Sequence, residues 1–118
     1  MRILFAAPDR DLLECYAKLL AADLGETVTA FDGTQVLFLV ESESFDMVVI
    51  DSALPRIEPG SLVKSLKSRG IPVVALMNDP AEDIPADAFL TYPFDEDDLV
   101  TVIKNTIANN GFEPEMER

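Results

Sequence analysis

Met47-Val48-Val49-Ile50 is an uninterrupted apolar run of four residues that ends on a carboxylate, Asp51. A run this short and this rich in β-branched residues does not make a helix. Its lack of alternation marks a strand buried on both faces, as in the interior of a parallel sheet. Pro72-Val73-Val74-Ala75-Leu76 repeats the pattern, and Arg2-Ile3-Leu4-Phe5-Ala6 is a similar short run stopped before Pro8. Glu26 to Phe31 alternates instead, which suits a half-buried strand, and Ala88-Phe89-Leu90-Thr91 reads as a last short one. Between these strands the apolar residues recur at helical spacing: Leu12, Leu13, Tyr16, Leu19, Leu20 and Leu24; Val36, Leu37, Leu39 and Val40; Leu62, Val63 and Leu66; Leu99, Val100, Ile103 and Ile107. Gly25 and Gly70 stand where helices stop, Asp32-Gly33-Thr34 makes a turn and cap, and Ser52 to Gly60 reads as a loop with two prolines. Asp95 caps the final helix, and Glu96, Asp97 and Asp98 fill its first turn, where the helix dipole favours them, so this acidic run has a structural role. Five strands alternating with helices predict an α/β domain with a doubly wound, five-stranded parallel sheet and right-handed crossovers.

The crossover between the fourth and fifth strands departs from this regularity. Fourteen residues separate Met77 from Tyr92, and they include Pro80, Pro85 and the fifth strand itself. A full helix hardly fits at about 1.5 Å of rise per residue. That helix is expected to be short or missing, with residues 78–86 irregular or holding one or two turns.

A chain of 118 residues, 48% of them hydrophobic, suffices for one core. The expected division is one domain over residues 1–108 followed by a flexible tail over 109–118. No apolar run approaches the roughly 20 residues of a membrane span, and no signal-peptide core is visible, so a cytoplasmic protein is expected. Without histidine, Ser-His-Asp chemistry is excluded, and Cys15 alone makes neither a disulfide nor a zinc cluster and reads as an ordinary helix residue. Twenty-two acidic residues against nine basic ones, a net charge of -13, oppose binding to nucleic acid.

In open parallel sheets, ligands and chemistry gather at the carboxyl ends of the strands, where strand order reverses. The residues expected there are Ala7, Pro8 and Asp9 after the first strand, Asp51 after the third, Met77 and Asn78 after the fourth, and Tyr92 after the fifth. By itself a carboxylate at a strand end is weak evidence, because Asp also caps helices and opens turns.

Three stretches sharpen this inventory. Phe45 to Pro55 carries the apolar strand, Asp51, and a proline four residues later; Asp87 to Phe94 carries a last strand and a proline-phenylalanine turn; Ala30 to Gly33 carries the turn into the second helix. Together they resemble the CheY-like response-regulator receiver domain, over nearly the whole chain from Arg2 to about Ile107. The resemblance implies a flavodoxin-like sheet of order 2-1-3-4-5 and a role in two-component signal transduction, with Asp51 at the phosphoacceptor position and Phe89 at that of the rotating aromatic. In that family a Mg²⁺ ion held by an acidic pair, a lysine and a Ser/Thr hydroxyl neutralise the charge that builds as the aspartate takes a phosphoryl group.

Here the acidic pair falls on Ala7 and Pro8, the hydroxyl on Met77 and the lysine on Tyr92, so that most of the cast is replaced. Asp9 with Asp51 is the remaining carboxylate pair for a metal, and two carboxylates without the rest of the cage hold Mg²⁺ weakly. No cofactor is therefore expected. Asp51 is either a phosphoacceptor or a residue that accepts loop N–H bonds or faces solvent. Met77 and Tyr92 fill vacated space or act as a permanent latch. The leading expectation is a degenerate receiver, or pseudo-receiver: a binding module rather than an enzyme, meeting a signalling partner such as a histidine kinase or an output protein without phosphorylation as its switch, as a monomer or weak dimer. The alternatives are slow phosphorylation of Asp51 with Asp9 helping to hold metal, and a small ligand in a site made apolar by Ala7 and Met77.

Overall fold

The structure, a computed structural model, describes residues 1–79 and 83–109. Its elements run Arg2–Ala6 (β1), Arg10–Asp23 (α1), Glu26–Ala30 (β2), Gly33–Ser42 (α2), Met47–Asp51 (β3), Pro59–Ser68 (α3), Val73–Met77 (β4), Ala88–Thr91 (β5) and Glu96–Ile107 (α4). All strand pairs are parallel, in the order β2-β1-β3-β4-β5. This is the doubly wound parallel sheet expected from the alternation of strands and helices, in the flavodoxin-like order that the resemblance implies.

The apolar runs explain which strands are central. Every residue of β3 and β4 is buried, whereas β5 at the edge alternates between half-buried and exposed positions. Side chains leave each strand on alternate faces and build two core layers. Leu4, Val48, Ile50, Ala75 and Met77 face α2 and α3; Phe5, Val49, Val74 and Leu76 face α1 and α4. Helix ends follow the local sequence. Gly25 and Gly70 adopt positive φ just past α1 and α3, where an L side chain is strained, and Asp95 with Asp98 forms a reciprocal capping box at the start of α4.

One boundary differs from the sequence reading. The loop after β3 closes at Glu58, not Gly60, because Pro59 occupies the first helical turn of α3, where its missing N–H costs nothing and its fixed φ suits the helix. The Glu58 carboxylate caps that helix by accepting from Gly60 N and Ser61 N at 3.0 and 2.9 Å. Among the described residues no helix lies between β4 and β5, as the two prolines led one to expect; residues 80–82 lie outside the description. The expected tail, 109–118, likewise falls outside it apart from Asn109, which follows α4.

At the amino-terminal edge of the sheet, Arg2 gathers four segments. Its guanidinium pairs with Glu26 and Glu43 and donates to Ser44 O at 3.0 Å, while its backbone N donates to Asp46 Oδ2 at 2.7 Å. The opposite, carboxyl edge is thereby left to the loops that carry the site.

Candidate functional site

Asp51 ends β3 and is only 7% exposed. A buried carboxylate needs partners for both oxygens. Oδ1 accepts from Ala53 N at 2.7 Å, a local turn of the kind aspartate forms two residues ahead of itself. Oδ2 accepts from the Tyr92 hydroxyl, also at 2.7 Å. Tyr92 lies one residue past β5, and β4 stands between the two strands. With neighbouring strands about 4.8 Å apart, β3 and β5 are roughly 10 Å apart. A tyrosine can bridge that gap to a carboxylate where a shorter polar side chain could not. Tyr92 is fixed in turn at its backbone, whose N donates to Met77 O at 2.9 Å, and at its ring, stacked on Phe94 with centroids 4.9 Å apart.

The electrostatics follow from this placement. Burial, and next the hydrogen bond to Asp51, push the Tyr92 phenol well above its ordinary range. A phenol whose pKa is raised by folding stabilises the native state fully below its unfolded value of about 10 and ceases to do so as pH climbs beyond it. Urea unfolding midpoints should therefore fall with rising alkalinity above about pH 10, and fall less in Tyr92→Phe. Equal losses in the two proteins would disconnect Tyr92 from the effect.

The other expected site residues go to different places. Ala7 is fully buried in the layer facing α1 and α4, with its N donating to Ala30 O at 3.1 Å, whereas Met77 packs into the opposite layer with Ile84. The two residues expected to line one apolar site thus belong to different layers. Pro8 is exposed, and Asp9 caps α1, its Oδ1 accepting from Asp11 N at 2.9 Å and Leu12 N at 3.3 Å. Phe89 is 48% exposed and belongs to neither core layer.

This donor set does not fit a Mg²⁺ ion. Ala7 and Pro8 bring no side-chain oxygen, Asp9 commits its Oδ1 to a helix end, and each Asp51 oxygen already accepts a hydrogen bond, which leaves too few carboxylate oxygens for the ion's cage. Among the described residues, no group of three or more Asp, Glu, His or Cys could hold a metal ion. No described helix is long and apolar enough to cross a membrane.

Three contributors escaped the sequence reading. Phe94 and Tyr16 join Tyr92 in a ring cluster whose existence depends on how α1 leans on the sheet. Ser52, 8% exposed, buries a hydroxyl oxygen that has no hydrogen-bond partner among the described residues, directly after Asp51. Its neighbour's carboxylate was visible in the sequence, but the direction of its own side chain was not.

No protein-family model matches the chain. Among known proteins, the transcriptional regulatory protein DltR of Streptococcus agalactiae is 30% identical over 114 residues, covering 88% of this chain and 50% of DltR. The chain spans about half the length of such curated relatives. The receiver domain of a Francisella response regulator superposes with a TM-score of 0.78 at 25% identity, covering 92% of this chain and 97% of that one. A CheY-like receiver domain from Methanospirillum hungatei gives 0.84 at 24% identity, covering 92% and 94% of the two chains. With its strand order and the aspartate at the end of β3, the chain has the fold of the CheY-like response-regulator receiver domains, and its sequence relatives are response regulators.

Proposed function

We propose that this receiver domain is a phosphorylation-independent interaction module, a pseudo-receiver that meets a signalling partner, a histidine kinase or an output protein, in the cytoplasm. The observation that carries this reading is the bond from the Tyr92 hydroxyl to Asp51 Oδ2 at 2.7 Å. It sets a neutral donor against the carboxylate where the family's lysine would bring a charge. A carboxylate attacking phosphorus must approach with a free oxygen, and the charge that builds on the phosphoryl oxygens needs cations and donors around it. Both Asp51 oxygens already have donors, and Ala7, Pro8 and Met77 contribute neither charge nor a strong hydrogen bond.

Incubation with acetyl phosphate and millimolar Mg²⁺, followed by intact-protein mass spectrometry, tests the reading. The expected result is no phosphoryl adduct and no Mg²⁺-dependent rise in melting temperature. An adduct that requires Mg²⁺ and disappears in Asp51→Asn would instead establish the alternative, a slowly phosphorylated receiver.

A further inference from the structure

Four rings form a file from the middle of the sheet to Asp51. Phe5 of β1 meets Tyr16 of α1 edge-on at 6.0 Å, Tyr16 meets Phe94 at 5.8 Å, and Phe94 stacks on Tyr92 at 4.9 Å. The two ends are held differently. Phe5 is fully buried in a central strand and has nowhere to go. Tyr92 is half-buried, and its phenol is tied to the domain by the hydroxyl bond to Asp51. Between them Phe94 sits in the connection from β5 to α4, outside any strand ladder or helix, so its neighbours determine its position.

We infer that Asp51 is coupled through this file to helix α1, with the Tyr92 hydroxyl bond as the latch. The device has two states. Latched, the Tyr92 ring is held over Phe94, and Phe94 supports Tyr16. Released, a half-buried phenol has no acceptor and turns its hydroxyl toward water, which takes the ring off Phe94 and removes the support beneath Tyr16. The Tyr92 backbone stays on Met77 O throughout, so the motion is that of a side chain. Phe89 lies outside this route: Ala88 and Leu90 share a layer with Tyr92, whereas Phe89 leaves the strand on the other face. The coupling goes beyond the pseudo-receiver reading and does not depend on it, since it concerns where a change at Asp51 is felt rather than whether a phosphoryl group causes that change.

The chain has two tyrosines and no tryptophan, so its tyrosine signals come from the file alone. Aromatic and amide NMR spectra of Asp51→Ala, compared with wild type, should show the Tyr16 ring and the α1 amides displaced well beyond the linewidth, with Phe89 and the α2 amides in place. Asp51→Asn, which retains an acceptor, should leave Tyr16 near its wild-type position. With Tyr92→Phe already present, the same Asp51→Ala change should no longer reach Tyr16. Asp51→Ser, too short to hold the phenol, serves as the second release variant should Asp51→Ala fold poorly. A Tyr16 ring that stays put in the release variants, or moves equally with and without the Tyr92 hydroxyl, overturns the inference. The acetyl phosphate assay reports separately on the pseudo-receiver reading, so the two can fail independently.

Discussion

Asp51→Ala is expected to destabilise the fold by about 2 kcal/mol, since it removes one charge-assisted hydrogen bond to a hydroxyl and one to a backbone N–H. Simple charge counting gives the opposite sign. The chain carries a net charge of -13, and deleting a carboxylate relieves repulsion. The relief is spread over distant, solvent-screened charges, while the loss falls on donors in contact with a buried group. The local effect therefore wins. For a domain of this length the change corresponds to a fall in melting temperature of very roughly 6–10 °C. A double-mutant cycle with Tyr92→Phe isolates the pair, with an expected coupling of about 1–2 kcal/mol, discounted because Tyr92 is only half-buried. A variant as stable as wild type, or more stable, would mean that the carboxylate is solvated and the latch does not exist in solution.

The second large effect is a gain. Reinstalling the family's chemistry with Ala7→Asp, Pro8→Asp, Met77→Thr and Tyr92→Lys should convert Asp51 into a Mg²⁺-dependent phosphoacceptor. Each preorganised donor or charge at a reacting group changes rates by about 10²–10³, so the combined variant should react with acetyl phosphate at least ~10³ faster than wild type. Tyr92→Lys alone should do little without the acidic pair, because the metal would still lack ligands. The variant has a cost: Ala7 is fully buried and Met77 nearly so, and a carboxylate or a smaller side chain there weakens packing. Amide dispersion must therefore confirm folding before rates are compared. A folded variant that remains inert would show that Ala7, Pro8, Met77 and Tyr92 do not stand where the family's reactive groups stand.

These residues also show how much the chain discloses before its structure is seen. Met47 to Ile50 and Val73 to Leu76 could only be central strands, and Gly25, Gly70 and Asp95 punctuate the helices because local chain chemistry requires it. Once five alternating strands imply a parallel sheet, Asp51 and Tyr92 must share its carboxyl edge; the strand order came from the resemblance. Their bond was not legible. It depends on a tyrosine reaching over the end of β4, and periodicity reports the face a residue occupies, not how far its side chain extends. The separation of Ala7 from Met77 was legible in principle from strand alternation, yet naming them together by position along the edge hid that they point to opposite layers. Pro59 misled for a related reason: the same residue breaks a helix from inside and begins one at its first turn.

The strand order has a consequence for the newborn chain. β2, β1 and β3 are neighbours and also the first three strands of this sheet to be made, so the segment ending at Asp51 can assemble a contiguous three-stranded sheet while β4 and β5 are still being synthesised. Its exposed border is then β3, an apolar edge that waits for β4 to cover it. Tyr92 emerges 41 residues after Asp51. At roughly 5–20 residues per second, ribosomal elongation leaves the carboxylate without its tyrosine for about 2–8 seconds. The bond that closes the mature site thus has to wait until all five strands of the sheet have been made.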